Sequence, residues 1–301
     1  MKKTSVLLSL ICCSLSLLTL VAFYPASMKE EFHYQLTSPQ KSYVLPTVLN
    51  EVSGLTTLAQ DKIACVQDEK ESIFVYDLEK EVISKEYSSE IAGDYEELAL
   101  VGSTMYLLRS DGVLIEYVNY TSSPVKTKEY QLNLPSPDNE GLCYDKKHKR
   151  LLIAAKSKTV KEVESKQIRL IYGFDLTSKT LLSEPVYKLD IHKIEAKAKE
   201  QKIPIPTRTI KKTGKTISSF NFRPSAIAIH PFENSIYVLS ASDRLLLIID
   251  EKGNILELFS LNLNLFNKAE GLTFLPNGDM LISNEAQDKK PTILKFEYKK
   301  S

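Results

Sequence analysis

Three glutamates in this sequence precede an apolar run in the same way. Glu96 stands in the stretch DYEEL, Glu140 in DNEGL and Glu270 in KAEGL. Such carboxylates can ligate a hard cation, because Ca²⁺ takes about six to eight oxygen ligands that include Asp and Glu side chains. They can also act as acids or bases if their pKa lies near the working pH. Either chemistry requires a fold that brings the three side chains together.

Each glutamate lies in a repeated unit of the chain. Alignment on the following residue gives five equivalent positions, 43, 44, 85 and 45 residues apart: Gly54, Glu97, Gly141, Ala226 and Gly271. In every copy two short apolar runs flank a polar turn, and a loop and a third, alternating run follow. Short runs rich in Ile, Val, Leu, Phe and Tyr between turn residues are typical of strands. A period of about 40–50 residues made only of strands predicts an all-β fold, the β-propeller.

We predict five blades of four antiparallel strands, and six blades is the alternative because one step is 85 residues long. Residues 184–191 are expected to be the outer strand of the third blade. The basic insert at residues 192–220 is expected to form a short helix and then a loop. Residues 42–46 can supply the strand that the last repeat lacks, so that the N-terminal strand closes the ring.

Propeller geometry predicts which polar residues meet. The first strand of each blade lines the channel and starts at one mouth, and the second strand ends at that mouth. The first-strand residues offer candidate metal ligands: Glu51, Glu96, Glu140 and Glu270. The second-strand ends offer candidate ligand-binding residues: Asp68, Arg109, Asp111, Lys156, Asp243 and Glu285. Three turn residues fall at the opposite mouth: His148, His230 and Asn277.

Glutamates that share a narrow space raise each other's pKa. Arg109 and Lys156, shared protons or a bound cation can neutralise them. Ca²⁺ fits carboxylates and serines better than zinc does, since no Cys or His residues have the spacing of zinc ligands. A structural alternative remains open, in which the glutamates accept hydrogen bonds from backbone amides between blades.

The N-terminus predicts a membrane segment. Residues 6–24 carry no charge over 19 residues and follow the basic start MKK. This length spans a bilayer core, and the lysines keep the preceding end in the cytoplasm. We therefore expect residues 1–27 to be a transmembrane signal-anchor of the inner membrane, and residues 28–301 to form a periplasmic propeller. Secretion after signal cleavage is the alternative.

The charges of the chain are balanced, with 39 basic and 38 acidic residues. This balance argues against a nucleic-acid partner, and we expect a monomer. Residues 192–215 hold eight Lys or Arg and two acidic residues. This insert is either a solvated loop or a docking segment for anionic lipids or an acidic partner. Cys65 and Cys143 fall in non-adjacent repeats, so no disulfide is expected.

The five repeats resemble the SdiA-regulated (YjiK-like) family over about residues 50–298. The resemblance rests on EVSGL, DYEEL, NEGLCYD, RPSAIAIHP and AEGLTFLPNGDMLISNE. It implies a bacterial propeller outside the inner membrane, with an N-terminal anchor and without an established activity or catalytic residues. It also implies calcium near the propeller, carried over to Glu51, Glu96, Glu140, Glu270 and Glu285. The chain departs from the family pattern at Ser225, Ala226 and Glu97.

Binding is favoured over catalysis. The first hypothesis is a membrane-anchored propeller that binds a small ligand or a protein at one mouth, with Ca²⁺. The second is a calcium-dependent hydrolase of the phosphoesterase or lactonase type, in which Asp or Glu would act as acid and base because no histidine falls at that mouth. The third is a purely structural envelope protein.

Overall fold

The alternating apolar runs form five antiparallel sheets. The computed structural model describes residues 32–88, 91–123, 125–157 and 167–300. Strands of this composition pair because each buries one apolar set against the neighbouring sheet. The described chain is therefore all-β apart from one α-helix and one short 3₁₀ turn.

The blades follow one another along the chain, each with its first strand innermost. Blade 1 contains β2 (Val52–Ala59), β3 (Lys62–Gln67), β4 (Lys70–Asp77) and β5 (Val82–Ser88). Blade 2 contains β6 (Tyr95–Val101), β7 (Thr104–Arg109), β8 (Val113–Val118) and β9 (Lys126–Gln131). Blade 3 contains β10 (Asn139–Asp145), β11 (Arg150–Ala155), β12 (Ile168–Asp175), β13 (Thr180–Leu181) and β14 (Tyr187–Asp190). Blade 4 contains β17 (Ala226–Ile229), β18 (Ile236–Ser240), β19 (Leu245–Ile249) and β20 (Ile255–Ser260). Blade 5 contains β21 (Ala269–Phe274), β22 (Met280–Asn284), β23 (Thr292–Phe296) and the N-terminal β1 (Lys41–Val44), which a 3₁₀ turn, Thr47–Leu49, follows.

The ring closes through the N-terminal strand. β1 pairs with β23 in antiparallel register, with Tyr43 opposite Ile293. The innermost strands contact each other in the cyclic order β2, β6, β10, β17, β21 and back to β2. The prediction of five blades is confirmed, and the alternative of six blades is wrong. Closure by an N-terminal strand is also confirmed, but the strand spans Lys41–Val44 and not residues 42–46.

The insert between blades 3 and 4 differs from the prediction in its second half. Its first half is the expected helix, α1 (Ile191–Glu200), and the Asp190 side chain accepts a hydrogen bond from the His192 amide at the helix start. The second half is not a loop, because β15 (Thr207–Thr209) and β16 (Thr216–Ser218) pair as a hairpin. Alternating threonines favour strands, and Gly214, at φ +66°, accommodates the reversal of the chain.

The outer position of blade 3 is also divided between two strands. β13 pairs with the end of β12, and β14 pairs with its beginning. Residues 184–191 therefore contribute the outer strand that was predicted, but only over Tyr187–Asp190.

The predicted membrane segment, residues 6–24, lies outside the described residues. Among the residues that are described, no helix has the length and apolar character needed to cross a bilayer. Cys65 and Cys143 are both free thiols.

The blades are held together by stacked apolar faces and, between blades 2 and 3, by a buried ionic network. The Glu116 carboxylate accepts hydrogen bonds from the Tyr106 and Tyr130 hydroxyls, both at 2.6 Å. It also contacts the ammonium of Lys179, on the turn after β12, at 2.5 Å. Burial opposes the charge on Glu116, but Lys179 and the two tyrosines hold its pKa below the usual value.

The Glu116 network predicts an acid-sensitive contribution to stability. A depressed pKa in the folded state gives stability that is present above the unfolded pKa and is lost as the pH falls through the folded pKa. We expect Glu116→Gln to lower the free energy of unfolding at pH 7 by about 1–3 kcal/mol, because hydrogen bonds to a charged group are lost. Urea unfolding between pH 3 and 7 measures this effect. The control is Glu129→Gln, at an exposed position of the same blade, which should change little; equal losses would contradict the prediction.

Candidate functional site

The innermost strands approach each other closely at the repeated glycine. A Cβ on Gly54 would lie 2.5 Å from the Glu97 Cα atom, and a Cβ on Gly271 would lie 2.5 Å from the Ser53 carbonyl oxygen. At Gly141 the same atom would lie 3.2 Å from the Ile227 amide nitrogen. Contact with the neighbouring blade therefore requires glycine at positions 54 and 271, and leaves little room for a Cβ atom at Gly141.

In four of the five blades the residue before the aligned position lies beside an irregularity in the strand pairing. The pairing of the first and second strands shifts register there in blades 1, 2, 3 and 5. Such bulges leave a residue unpaired and redirect its side chain. The five positions form what we call the inner ring: Ser53, Glu96, Glu140, Ser225 and Glu270. The positions two residues earlier form the outer ring: Glu51, Asp94, Asp138, Arg223 and Lys268.

The tightest carboxylate group lies on blades 2 and 3. Ligand oxygens of Glu96, Asp138 and Glu140 all lie within 4.8 Å of one another. Glu140 is only 5% exposed, and its Oε2 atom has no hydrogen-bond partner among the described residues. Glu140 therefore presents a desolvated carboxylate oxygen that lacks a protein donor, next to two further carboxylates.

One lysine, Lys156, partly neutralises this group, and a second, Lys268, acts on the neighbouring Glu270 and Glu285. The Lys156 ammonium contacts Glu140 Oε1 directly. The Lys268 ammonium lies 3.6 Å from Glu270 and 2.5 Å from Glu285. Burial disfavours charge on both lysines, but the surrounding carboxylates raise the pKa of each.

The glutamates of the inner ring hold their protons unusually strongly. Burial, together with the charges of Asp94, Asp138 and Glu270, raises the pKa of Glu96 to about 8. Burial and the neighbouring glutamates raise the pKa of Glu140 to about 9, although Lys156 acts in the opposite direction. Burial also raises the pKa of Glu270.

An apolar layer under the inner ring contributes to this burial. The next residue after each aligned position is aliphatic and at most 2% exposed: Leu55, Leu98, Leu142, Ile227 and Leu272. These five side chains line a cavity of about 150 Å³ in the channel. Low-dielectric surroundings disfavour the charged form of a carboxyl group, so the layer helps to keep the glutamates protonated.

Glu51 lies in a different part of the mouth from the three-carboxylate group. Its charge acts on Asp68, Lys268 and Glu285. Burial raises the pKa of Glu285 to about 7, against the effect of its hydrogen bond from Lys268. Glu51 and Glu285 thus belong to a second, lysine-neutralised cluster on blades 5 and 1.

Arg109, Asp111 and Asp243 are engaged with partners other than the glutamates. Arg109 forms an ion pair with Asp111 at 2.5 Å and does not neutralise the glutamates. Asp243 accepts hydrogen bonds from the Ser240 and Ser242 hydroxyls and from the backbone amide of Arg223, a residue of the outer ring.

The departure from the pattern at Glu97 has a structural explanation. Its side chain is fully buried, and Oε1 accepts a hydrogen bond from the Leu98 amide at 3.1 Å. Burial raises its pKa well above the usual value and so favours the uncharged form, and the side chain fills space beside Gly54.

Sequence reasoning missed Lys268. It lies two residues before Glu270, as Asp138 lies two residues before Glu140, so the repeat alignment alone could have placed it in the outer ring. The prediction considered only Arg109 and Lys156 as cations, because both follow second strands.

Comparison with known proteins agrees with this architecture. A profile of the family described as SdiA-regulated matches residues 26–288. This chain belongs to the SdiA-regulated family. No protein of curated function shows significant sequence similarity to it.

Two solved structures show how the SdiA-regulated chain resembles other propellers. Glutaminyl cyclase from Myxococcus xanthus superposes with a TM-score of 0.57 at 12% identity, over 87% of this chain and 96% of that one. The WD40 repeats of RRP9 superpose with a TM-score of 0.50 at 10% identity, over 88% of this chain and 100% of that one. At such identities the likeness concerns the fold alone.

The raised pKa values predict that the metal-free protein loses stability as the pH rises. Carboxyls whose folded pKa lies above the unfolded value of about 4.3 contribute stability that is fully present below that value and lost as the pH rises through the folded pKa. For Glu96 and Glu140 this window extends from about 4.3 to about 8 and 9.

Chemical unfolding in a chelator between pH 5 and 9 measures the loss. Glu140→Gln should flatten the decline, because the amide cannot ionise. Glu79→Gln, at an exposed position, is the control and should leave the slope as in the unaltered protein. An unchanged slope in Glu140→Gln would show that Glu140 is already ionised at low pH.

Proposed function

We propose that this SdiA-regulated protein is a binding protein that residues 6–24 hold at the inner membrane, with its propeller in the periplasm. The mouth that contains the inner and outer rings binds Ca²⁺ and, through it, a small ligand or a protein partner. One observation carries the proposal: the buried Glu140 Oε2 atom, without a donor among the described residues, beside Glu96 and Asp138.

The chemistry of the donor set favours a hard divalent cation. Three carboxyl groups offer up to about six oxygen atoms, which is the kind and number of ligands that Ca²⁺ takes. Zinc is disfavoured because the group contains neither His nor Cys. Glu96, Asp138 and Glu140 would hold the ion, which would supply positive charge where the carboxyls otherwise need protons.

A bound cation must compete with Lys156 for the carboxylate of Glu140. The lysine ammonium occupies Glu140 Oε1, so a cation bound to Glu140 replaces a proton, a lysine contact or both. A divalent ion carries twice the charge of the lysine in the same low-dielectric space. The exposed outer ring above it leaves room for oxygen atoms of a ligand to complete the coordination.

The membrane attachment rests on the sequence. A run of 19 uncharged residues after two lysines has the length and flanking charge of an inner-membrane anchor. In this proposal the protein acts as a monomer, because one chain closes the complete ring.

Calcium binding should be coupled to the release of protons. We expect the apparent affinity for Ca²⁺ to rise between pH 6 and 9, by up to about tenfold per pH unit for each proton displaced. Calorimetry in buffers of different ionisation enthalpy measures the number of protons released.

Three variants locate the ion in the mouth. Glu140→Gln and Glu96→Gln should weaken binding at least about tenfold, because each removes a charged ligand. Glu251→Gln, at the opposite end of the propeller, is the control and should bind normally. Calcium binding that survives in Glu140→Gln would overturn the proposed site. The absence of binding in the unaltered chain would overturn the calcium function and leave the structural role.

A hydrolase is the second candidate function. The observation that favours it is Glu270, a buried carboxyl next to Glu140 whose pKa is raised by burial. It can carry a proton while Glu96, Asp138 and Glu140 hold a cation that would polarise an ester or phosphoryl oxygen.

The hydrolase candidate predicts calcium-dependent turnover of phosphoester or lactone substrates by the full chain. Turnover should fall at least about 100-fold in Glu270→Gln, the usual size of an acid–base contribution. A panel of such substrates with and without calcium tests this prediction. If Ca²⁺ binds but no substrate turns over, the binding function stands without the catalytic one.

A further inference from the structure

The N-terminal segment joins the propeller at the mouth opposite the carboxylates. The Tyr34 hydroxyl donates a hydrogen bond to the Gly278 carbonyl at 2.6 Å and lies 2.8 Å from His230 Nε2. The His33 carbonyl accepts from the Lys299 amide at 3.1 Å, and the His33 ring packs against Tyr298. The chain is therefore fixed at this end of the ring before it continues into β1.

This attachment does not depend on a charged histidine. His230 is fully buried, and its Nδ1 accepts the Glu233 amide at 3.1 Å. Nε2 therefore carries the ring proton and donates it to the Tyr34 hydroxyl. Burial, with the nearby His33, lowers the pKa of His230 to about 4, so the ring is neutral at physiological pH and the contact persists.

We name this end of the propeller the tether face. It consists of the turns between first and second strands together with residues 33–34 and 298–300. Lys146, Lys147 and Pro231 border one cavity there of about 280 Å³, so the turns of blades 3 and 4 are adjacent. Phe232, on the second of these turns, is 55% exposed. Its ring centroid lies 5.5 Å from that of Tyr298, beside the attachment of the N-terminal segment.

The two ends of the propeller differ in charge. On the tether face five exposed lysines accompany three acidic residues: Lys146, Lys147, Lys149, Lys299 and Lys300, with Asp61, Glu233 and Asp279. The opposite mouth carries eight carboxyl groups against three basic side chains: Glu51, Asp68, Asp94, Glu96, Asp138, Glu140, Glu270 and Glu285, with Lys156, Arg223 and Lys268. A negatively charged surface attracts the first end and is repelled by the carboxylates of the second, where the lysines of the basic insert are the competing attraction.

We propose that the tether face rests on the anionic lipid headgroups of the membrane and that the carboxylate mouth points away from the bilayer into the periplasm. Lys146 and Lys149 contact the headgroups, and the exposed Phe232 ring enters the interface between headgroups and acyl chains, as aromatic residues do at membrane surfaces. This orientation rests on the proposed anchor at residues 6–24.

The length of the connection supports this arrangement. Eight residues, 25–32, separate the proposed anchor from His33, and an extended chain covers at most about 3.6 Å per residue. The tether face is thus held within about 30 Å of the membrane, where a weak contact becomes effectively intramolecular.

The basic insert is the competing surface for docking. The segment that leads into its hairpin, residues 203–206, lines a cavity with Ser242, Asp243 and Arg244, in the loop after β18. That loop lies on the carboxylate side of blade 4. The exposed Lys211 and Lys212 of the hairpin therefore belong to the other end of the propeller and serve as a charge-matched control.

The absence of tryptophan from the sequence allows a direct test. Phe232→Trp places a single reporter on the tether face. Leu263→Trp places it in the loop before β21, on the carboxylate side, and the two side chains are similarly exposed, at 55% and 52%. Each full-length variant is inserted into preformed phosphatidylcholine vesicles with or without phosphatidylglycerol. Quenching is measured with a nitroxide-headgroup lipid.

With phosphatidylglycerol we expect at least about twofold stronger quenching of Phe232→Trp than of Leu263→Trp, because attraction to the headgroups decays within about 10 Å. Lys146→Glu with Lys149→Glu should remove most of this quenching, whereas Lys211→Glu with Lys212→Glu should preserve it. Equal or reversed quenching of the two reporters, or loss only in the hairpin variant, overturns the orientation.

Flotation of the vesicles tests the membrane anchor separately from the orientation of the propeller. If the protein floats with the vesicles but shows equal or reversed quenching, the anchor is supported and the proposed orientation is wrong. If the protein does not float, the proposed anchor is wrong, and the proposed orientation, which depends on it, is wrong as well.

Discussion

The close approach of five innermost strands around one axis is the constraint on which the rest of this structure depends. Gly54 and Gly271 leave no room for a Cβ atom against the next blade. The same crowding places the preceding residue of each blade at one height around the channel. Because the same position recurs in every blade, its five side chains form a ring around the channel.

This crowding also sets the electrostatics of the mouth. Three glutamates share a desolvated space above an aliphatic layer, so the energy of ionising one depends on the charge state of the others. Lys156 and Lys268 lower that energy without balancing it. Protons, lysine ammonium groups and a divalent cation therefore compete for the same carboxylate oxygens. The fraction of sites that hold a cation depends on both the pH and the cation concentration.

Much of the architecture could be predicted from the sequence, because strand periodicity and the recurring glycine are local signals. The same alignment predicted that Glu96, Glu140 and Glu270 meet, since residues at equivalent positions of a ring converge. Glu51 was less predictable: it belongs to the outer ring, and its neighbours Lys268 and Glu285 come from the last blade. The burial of Glu97 was also not predictable, because it depends on the empty space beside Gly54 in the preceding blade. The hairpin in the insert was missed since short threonine-rich strands resemble loops in composition.

Closure of the ring by β1 and β23 has a consequence for biosynthesis. Chains are made from the N-terminus onward, and the partner strand of residues 41–44 ends only at Phe296. Residues 41–44 of a nascent chain therefore stay without their partner strand until nearly the whole chain has been synthesised. A message truncated before β23 would yield a propeller with an open seam, which exposes strand edges to aggregation and proteolysis. Only a chain that includes β23 can therefore close the ring and form a stable propeller.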